Sequence, residues 1–320
     1  MGNTFYFGWE QKLIEWLQAH TGPVGDAAAR LTSFFGELIF LVIVLGLVYW
    51  CVDKKLGKRI GYNIILACLL MPIFKNIFRR TRPYMDDPAI RCLKKPGESE
   101  DIFDIASQGY SLPSGHSVNA AAVWLSFPVC INEENRRRGS KKRSPALLWV
   151  IAGVMMLVIG LSRIVLGVHY PTDVLAGWAL GMIVIAVTSF AMRMIPSRAV
   201  INGIYLLIGA VGCFFCRSDD FYSALGLLIG FIAGDRFEQR FVRFKNTSSL
   251  PCCLLRLAGG GAGYVALNIL LKLPFSPQFL SSATAGQFAV RTLRYAVIVF
   301  VLSGVYPMCF RYFDRLFKKK

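Results

Sequence analysis

Ser162-Arg163-Ile164-Val165-Leu166-Gly167-Val168-His169-Tyr170-Pro171-Thr172-Asp173 joins the end of one very apolar run to the start of the next. The flanking runs, near 146–167 and 172–192, are each long enough for a helix that crosses a bilayer, which needs ~20 mostly apolar residues. Ionisable side chains at such a junction are costly, so Arg163, His169 and Asp173 mark a functional site by default. Pro171 suits the first turn of a helix. It therefore sets Asp173 close to a helix N-terminus and leaves His169 just ahead of that helix.

Outward from this stretch the chain stays apolar. Of its 320 residues 55% are hydrophobic, the mean hydropathy is +0.49, and the apolar residues come in blocks. That composition excludes an ordinary soluble domain and predicts an all-α, polytopic membrane protein. About nine transmembrane helices are expected, near 34–52, 60–79, 116–131, 146–167, 172–192, 199–216, 221–235, 252–273 and 291–311. Residues 4–20 show apolar positions at helical spacing, with Trp9 and Trp16 on or near the apolar face, and read as a helix lying in the membrane interface. The expected organisation is an interfacial segment 1–33, a catalytic helical bundle 34–195 and a four-helix extension 196–320.

The net charge of +17 is explained by cytoplasmic loops rich in Lys and Arg, and no nucleic-acid partner is implied. The cations fall after the first, third, fifth and seventh spans and in the tail (Lys54, Arg137, Arg193, Arg240 and Lys318 among them), all on one side of a nine-span chain. That side is then cytoplasmic, and the C-terminus with it. The opposite face receives the end of span two, the start of span three and the junction around His169. The reading is an integral protein of a bacterial plasma membrane with its site on the extracytoplasmic face. No basic start followed by an apolar core marks a cleaved signal peptide at the N-terminus.

Other features read as packing. The nine cysteines lie mostly in or beside apolar runs, and Cys213-Phe-Phe-Cys216 lacks partner ligands. Gly259-Gly-Gly-Ala-Gly263 opens an apolar helix without the strand and Lys-Ser/Thr of a phosphate loop, so close helix packing is expected. Glu37, early in the first span, is expected to face protein rather than lipid.

Two further stretches share the extracytoplasmic side: Lys75-Asn-Ile-Phe-Arg-Arg-Thr-Arg82-Pro83 and Pro113-Ser114-Gly115-His116. With Ser162-Arg163-x5-His169-x3-Asp173 they resemble the three-part signature of the type 2 phosphatidic acid phosphatase superfamily: K-x6-R-P, P-S-G-H and S-R-x5-H-x3-D. Every specified position matches, in order. The resemblance covers roughly 34–192, and the overall layout is also similar to that of glucose-6-phosphatases. Vanadium haloperoxidases share the motifs but are soluble, which this composition opposes.

Phosphoryl transfer needs a positioned nucleophile, cations around the equatorial oxygens and an acid for the leaving group. Lys75 and Arg82, seven residues apart, are expected on one helix face, with Pro83 stopping that helix. Arg163 can grip phosphate oxygens bidentately. Ser114 and Gly115 open the next helix, whose free N–H groups attract an anion, and Gly115 lets a phosphate come close. His116 is placed to protonate a leaving alkoxide. The resemblance implies that His169 is the nucleophile and that Asp173 orients it. No cofactor is implied, and no Asp/Glu/His cluster has metal-ligand spacing; the Lys/Arg clamp takes the electrostatic place of a metal. These residues predict a membrane phosphatase for lipid phosphate monoesters or a terminal lipid pyrophosphate, with lipid as substrate and surroundings. A phosphotransferase, a phosphatase for small soluble esters and a non-catalytic lipid binder or transporter remain as alternatives.

Overall fold

The computed structural model describes residues 2–97 and 101–317. Lys318, named above among the topogenic cations, lies outside the described residues together with Lys319 and Lys320. The chain is helical, and no strand occurs among the described residues. An isolated parallel bridge joins Asn3 and Arg80.

In order the helices are α1 (Gly8–Phe34), α2 (Leu38–Leu47), α3 (Lys54–Phe78), α4 (Pro83–Asp86), α5 (Ile105–Gln108), α6 (Gly115–Trp124), α7 (Ser126–Arg137), α8 (Ala146–Val165), α9 (Pro171–Met194), α10 (Arg198–Phe215), α11 (Asp219–Phe237), α12 (Leu250–Leu270), α13 (Pro277–Leu280), α14 (Ala285–Phe300) and α15 (Phe310–Leu316). Six stretches are long and apolar enough to cross a membrane: α3, α8, α9, α10, α12 and the run Ala285–Leu316. The pair α1 and α2, bent by 47° at its break, makes up to seven. The expected nine are therefore not all met. The third expected span is broken into α6 and α7 around Leu125. The seventh, α11, carries Asp219 and Asp220 in its first turn and Arg236 in its last.

The chain folds as two compact units. One holds the segment ending at Leu41 together with Leu70–Thr188. The other holds Val42–Leu69 together with the chain from Ser189 onward. This division differs from the sequence boundaries at 33/34 and 195/196, because Val42–Leu69 groups with the C-terminal helices.

In the first unit α1 runs along α8, and α6 packs against α8. The inward face of α1 carries Glu10, Ile14, Gln18, Ala29 and Ser33, while Trp9 and Trp16 are exposed. Three of those five buried residues are polar, so α1 supplies hydrogen bonds to the protein interior as well as an apolar outer face. The α6–α9 contact is made through small residues. A methyl group at Gly177 would lie 2.7 Å from Ser117 Cβ and 2.8 Å from the Ser114 carbonyl. One at Gly181 would lie 2.6 Å from Ala121 Cβ. Two glycines one turn apart thus let two backbones approach, as small residues do in membrane helix pairs. The core below the site contains Ile14, Tyr84, Ile90, Ile164, Leu166, Val168, Tyr170 and Val174.

The second unit is centred on Tyr49, Trp50, Cys51, Val242, Phe244 and Phe310. Arg256 is fully buried there, donates to the Trp50 carbonyl and to Asp314, and stacks 4.2 Å over Phe310. The glycine run in α12 packs as expected: a methyl group at Gly260 would meet Trp50 at 2.4 Å. All nine cysteines are free thiols.

Candidate active site

The stretch after α3 departs from the helix-face expectation. The helix ends at Phe78, Arg79 takes a left-handed backbone (φ 51°), and Arg82 is extended (φ −88°, ψ 152°) as the residue before α4. Pro83 disfavours helical backbone at Arg82. The N-terminal segment ends the helix sooner: Asn3 donates through Nδ2 to the Phe78 carbonyl and through its backbone to the Arg79 carbonyl, and Thr81 N donates back to Asn3. Lys75 therefore sits on the last turn of α3 while Arg82 reaches the site from a loop.

Arg82 is locked by backbone carbonyls. Its Nε donates to Gln108 and Gly109 (both 3.0 Å), Nη2 to Gln108 (2.8 Å), and Nη1 to Val168 (2.9 Å). The same Nη1 lies 3.4 Å from His169 Nε2. A guanidinium can only donate, so this approach requires a lone pair on Nε2 and puts the ring proton on Nδ1. Nδ1 faces Asp173 Oδ2 at 3.5 Å, longer than an ideal hydrogen bond. His169 and Asp173 are buried at 2% and 0% exposure.

Asp173 is itself held from several directions. Oδ2 accepts from the Tyr170 backbone N–H (2.9 Å), and Oδ1 accepts from Arg80 Nη1 (2.7 Å). Its backbone carbonyl accepts from Ser114 N (3.0 Å), which ties the start of α6 to the first turn of α9. As expected, α9 begins at Pro171 with His169 outside it. Gly167 makes the tight exit from α8 at φ +72°, where a side chain would strike the Arg91 carbonyl at 2.3 Å.

Ser114 is the residue before α6, where its side chain makes no capping hydrogen bond; it is fully buried and accepts from Ser117 Oγ at 3.0 Å. Beside Gly115 a built Cβ would make ordinary van der Waals contact with Met71 Cε at 3.4 Å. His116 follows at once, half-buried, with no partner on Nε2. The break between α1 and α2 presses on it: a methyl group at Gly36 would lie 3.1 Å from His116 Cδ2. Arg163, near the end of α8, is buried and donates to Ser33 Oγ at 2.5 Å.

The charges of Lys75, Arg82 and Arg163 all act on both His116 and His169. For His169, burial comes first and these cations second, and together they hold its pKa well below the ordinary 6.5. The nucleophilic, neutral form is thus the resting form. Lys94 also acts on His116 and pairs with Glu37 at 2.5 Å, so Glu37 faces protein as expected. Among the described residues no three His, Cys, Asp or Glu side chains come together in a group that could hold a metal ion.

Lys75, Arg82 and Arg163 thus bear on both histidines through charge, Asp173 faces His169, and Ser114 and Gly115 begin the helix that carries His116. Residues 57–196 match the model of the PAP2 superfamily. Residues 222–319 match a second model, the transmembrane extension of PAP2 superfamily phosphatases. The chain belongs to the PAP2 superfamily. It is 38% identical to phosphatidylglycerophosphatase B of Bacillus subtilis over 79 residues, 25% of this chain and 37% of that protein. It is 24% identical to mouse (Mus musculus) sphingosine-1-phosphate phosphatase 2 over 69% of this chain and 62% of that one. It is 32% identical to the glucose-6-phosphatase catalytic subunit 1 of Haplochromis nubilus over 57% and 53% of the respective chains. The PAP2 chain described here spans less than two thirds of the length of each of these three relatives. No solved structure matches it.

Two residues that bear on the site carry no motif signal. Arg80 is buried against Asp173, and Glu10 is buried against Arg80. Arg80 stands inside K-x6-R-P at an unspecified position, and Glu10 lies 163 residues before Asp173. Their pairing becomes visible only in three dimensions.

Proposed function

We propose that this protein is a membrane phosphatase that hydrolyses lipid phosphate monoesters, or a terminal lipid pyrophosphate, through a phosphohistidine on His169 and without a metal ion. The observation that carries the reading is the His169 ring, placed with the Asp173 carboxylate 3.5 Å from Nδ1 and the Arg82 guanidinium 3.4 Å from Nε2. A nitrogen lone pair that faces a fixed cation is aimed at the place an anion would take.

In the first step the Nε2 lone pair forms the N–P bond as the P–O bond to the leaving group breaks, and protonated His116 gives its proton to the departing oxygen. Phosphate binding favours that proton, because it brings negative charge next to His116. Arg82, Arg163 and Lys75 stabilise the equatorial oxygens, and the N-terminus of α6 at Ser114–Gly115 adds backbone donors. In the second step neutral His116 takes a proton from water, the water oxygen bonds to phosphorus, the N–P bond breaks and phosphate leaves. His116 is thereby protonated again, ready to serve as the acid once more.

Lipid phosphates are preferred because the motif residues adjoin helices long enough to span a bilayer, so a headgroup can reach the site while its tail stays in lipid. The named activities of the Bacillus and mouse relatives support this class. The name of the Haplochromis relative supports a second reading, a small soluble ester. We place the site on the extracytoplasmic face of a plasma membrane, with α11 and the α6–α7 pair completing the crossings. Phosphate release by purified protein in detergent, with a chelator present, tests the function. Phosphatidic acid, undecaprenyl pyrophosphate, sphingosine phosphate and glucose 6-phosphate are compared, each beside His169→Ala. Release that survives chelation and vanishes in the variant is expected, with a lipid ranked first. Transfer of phosphate to an added acceptor without free phosphate would instead favour a transferase.

A further inference from the structure

Arg80 is a buried cation that the reaction above does not use. It is 2% exposed and donates four ways: Nε to the Phe5 carbonyl (2.8 Å), Nη1 to Thr172 Oγ1 and Asp173 Oδ1 (both 2.7 Å), and Nη2 to Glu10 Oε2 (2.8 Å). Its guanidinium lies 4.1 Å from the Tyr170 ring centre and 5.0 Å from that of Phe5. Glu10 is fully buried. It accepts from Arg80, from the Thr172 N–H (3.0 Å) and hydroxyl (2.6 Å), and from Phe7 N (2.9 Å). Among the described residues the pair's other charged partner is Asp173.

The charge count matters. A buried Arg80–Asp173 pair alone would be neutral, and it would offer His169 little when the ring becomes cationic on forming the N–P bond. Glu10 is the second carboxylate on the same guanidinium, so the chain Glu10–Arg80–Asp173 carries one net negative charge. In a low-dielectric interior such a charge acts strongly on its neighbour.

We propose that Glu10 is a positioning residue of the catalytic site, which through Arg80 fixes the Asp173 carboxylate and leaves the buried chain one net negative charge to stabilise His169 as it is phosphorylated. The N-terminal segment is then part of the catalytic apparatus although it touches no substrate. This inference rests on the His169 reading of the preceding section.

The test separates charge from shape. Glu10→Gln keeps the shape and hydrogen-bonding length but removes the charge; Glu10→Asp keeps the charge and shortens the chain. With the best substrate of the panel above, Glu10→Gln is expected to lower kcat by about tenfold or more and to leave KM and vanadate inhibition within about twofold, since the cation clamp is untouched. Glu10→Asp is expected to retain more activity than Glu10→Gln. A Gln variant as active as the Asp variant, or more so, overturns the proposal, because a packing role favours the isostere. Should Glu10→Gln fail to fold, Arg80→Met is compared with Arg80→Met/Glu10→Gln. The double variant restores a single negative charge and is expected to be the more active; equal or lower activity overturns the proposal. His169→Ala is run alongside. If it retains turnover, the phosphohistidine reading fails; if it is inactive while both Glu10 variants match the unmodified protein, the inference about Glu10 fails by itself.

Discussion

His169 lies between two fixed charges, with the Arg82 guanidinium 3.4 Å from Nε2 and the Asp173 carboxylate 3.5 Å from an Nδ1 that makes no hydrogen bond. Burial and the surrounding cations disfavour the charged ring, so its pKa lies well below 6.5. The sign then follows: between that low value and 6.5 the unfolded chain binds a proton at this position and the native chain does not, so this residue makes stability fall as pH drops below 6.5. In 15N-histidine-labelled protein the His169 signals, assigned by their loss in His169→Ala, should keep the neutral Nδ1–H pattern down through pH 6.5. A titration at or above 6.5 would contradict the geometry. Asp173→Asn should lower kcat by about a hundredfold or more with little change in KM, because an amide can turn its NH2 toward the ring and offers no charge to the imidazolium. The motif residues were legible in the sequence because their chemistry is set by type and spacing. Arg80 and Glu10 were not, since nothing local distinguishes Arg80 from its exposed neighbour Arg79.

At the scale of elements, the site exists because α6 and α9 meet closely enough for Ser114 N to reach the Asp173 carbonyl. Gly177→Val would put side-chain atoms into Ser117 and the Ser114 carbonyl. Overpacking of this kind costs about 1–3 kcal/mol, so a lowered melting temperature is expected together with a loss of activity larger than instability explains. Unchanged melting and turnover would show that the contact does not set the site. Gly36→Ala acts from the other side, since the added methyl group meets His116 and Ile159. It should reduce kcat while leaving vanadate binding intact. The helices carrying the motifs could be read from apolar runs, Pro171 and Ser114. The end of α3 could not: Lys75 and Arg82 have helical spacing, but the Asn3 bridge and the burial of Arg80 end the helix four residues before Arg82. Tertiary hydrogen bonds here outweighed periodicity. Likewise α1 reads as amphipathic from its tryptophans, while its buried Glu10 and Gln18 are polar anchors that a hydropathy pattern scores as surface.

For the whole molecule, the all-helical membrane class follows from composition and block length. The division of the chain does not, because Val42–Leu69 groups with residues far along the sequence. The topology gives its own prediction. In a background without native cysteines, Ser282→Cys should react with an impermeant maleimide in intact cells, and Lys141→Cys only after permeabilisation. The reverse pattern would invert the placement of the site.

The measurement that tests the central claim most directly is rapid acid-free quench of the enzyme turning over 32P-labelled substrate, followed by mapping of the labelled peptide. An acid-labile, base-stable phosphoryl group on His169 is predicted, absent from His169→Ala. Label on another residue, or full turnover by His169→Ala, would contradict the account.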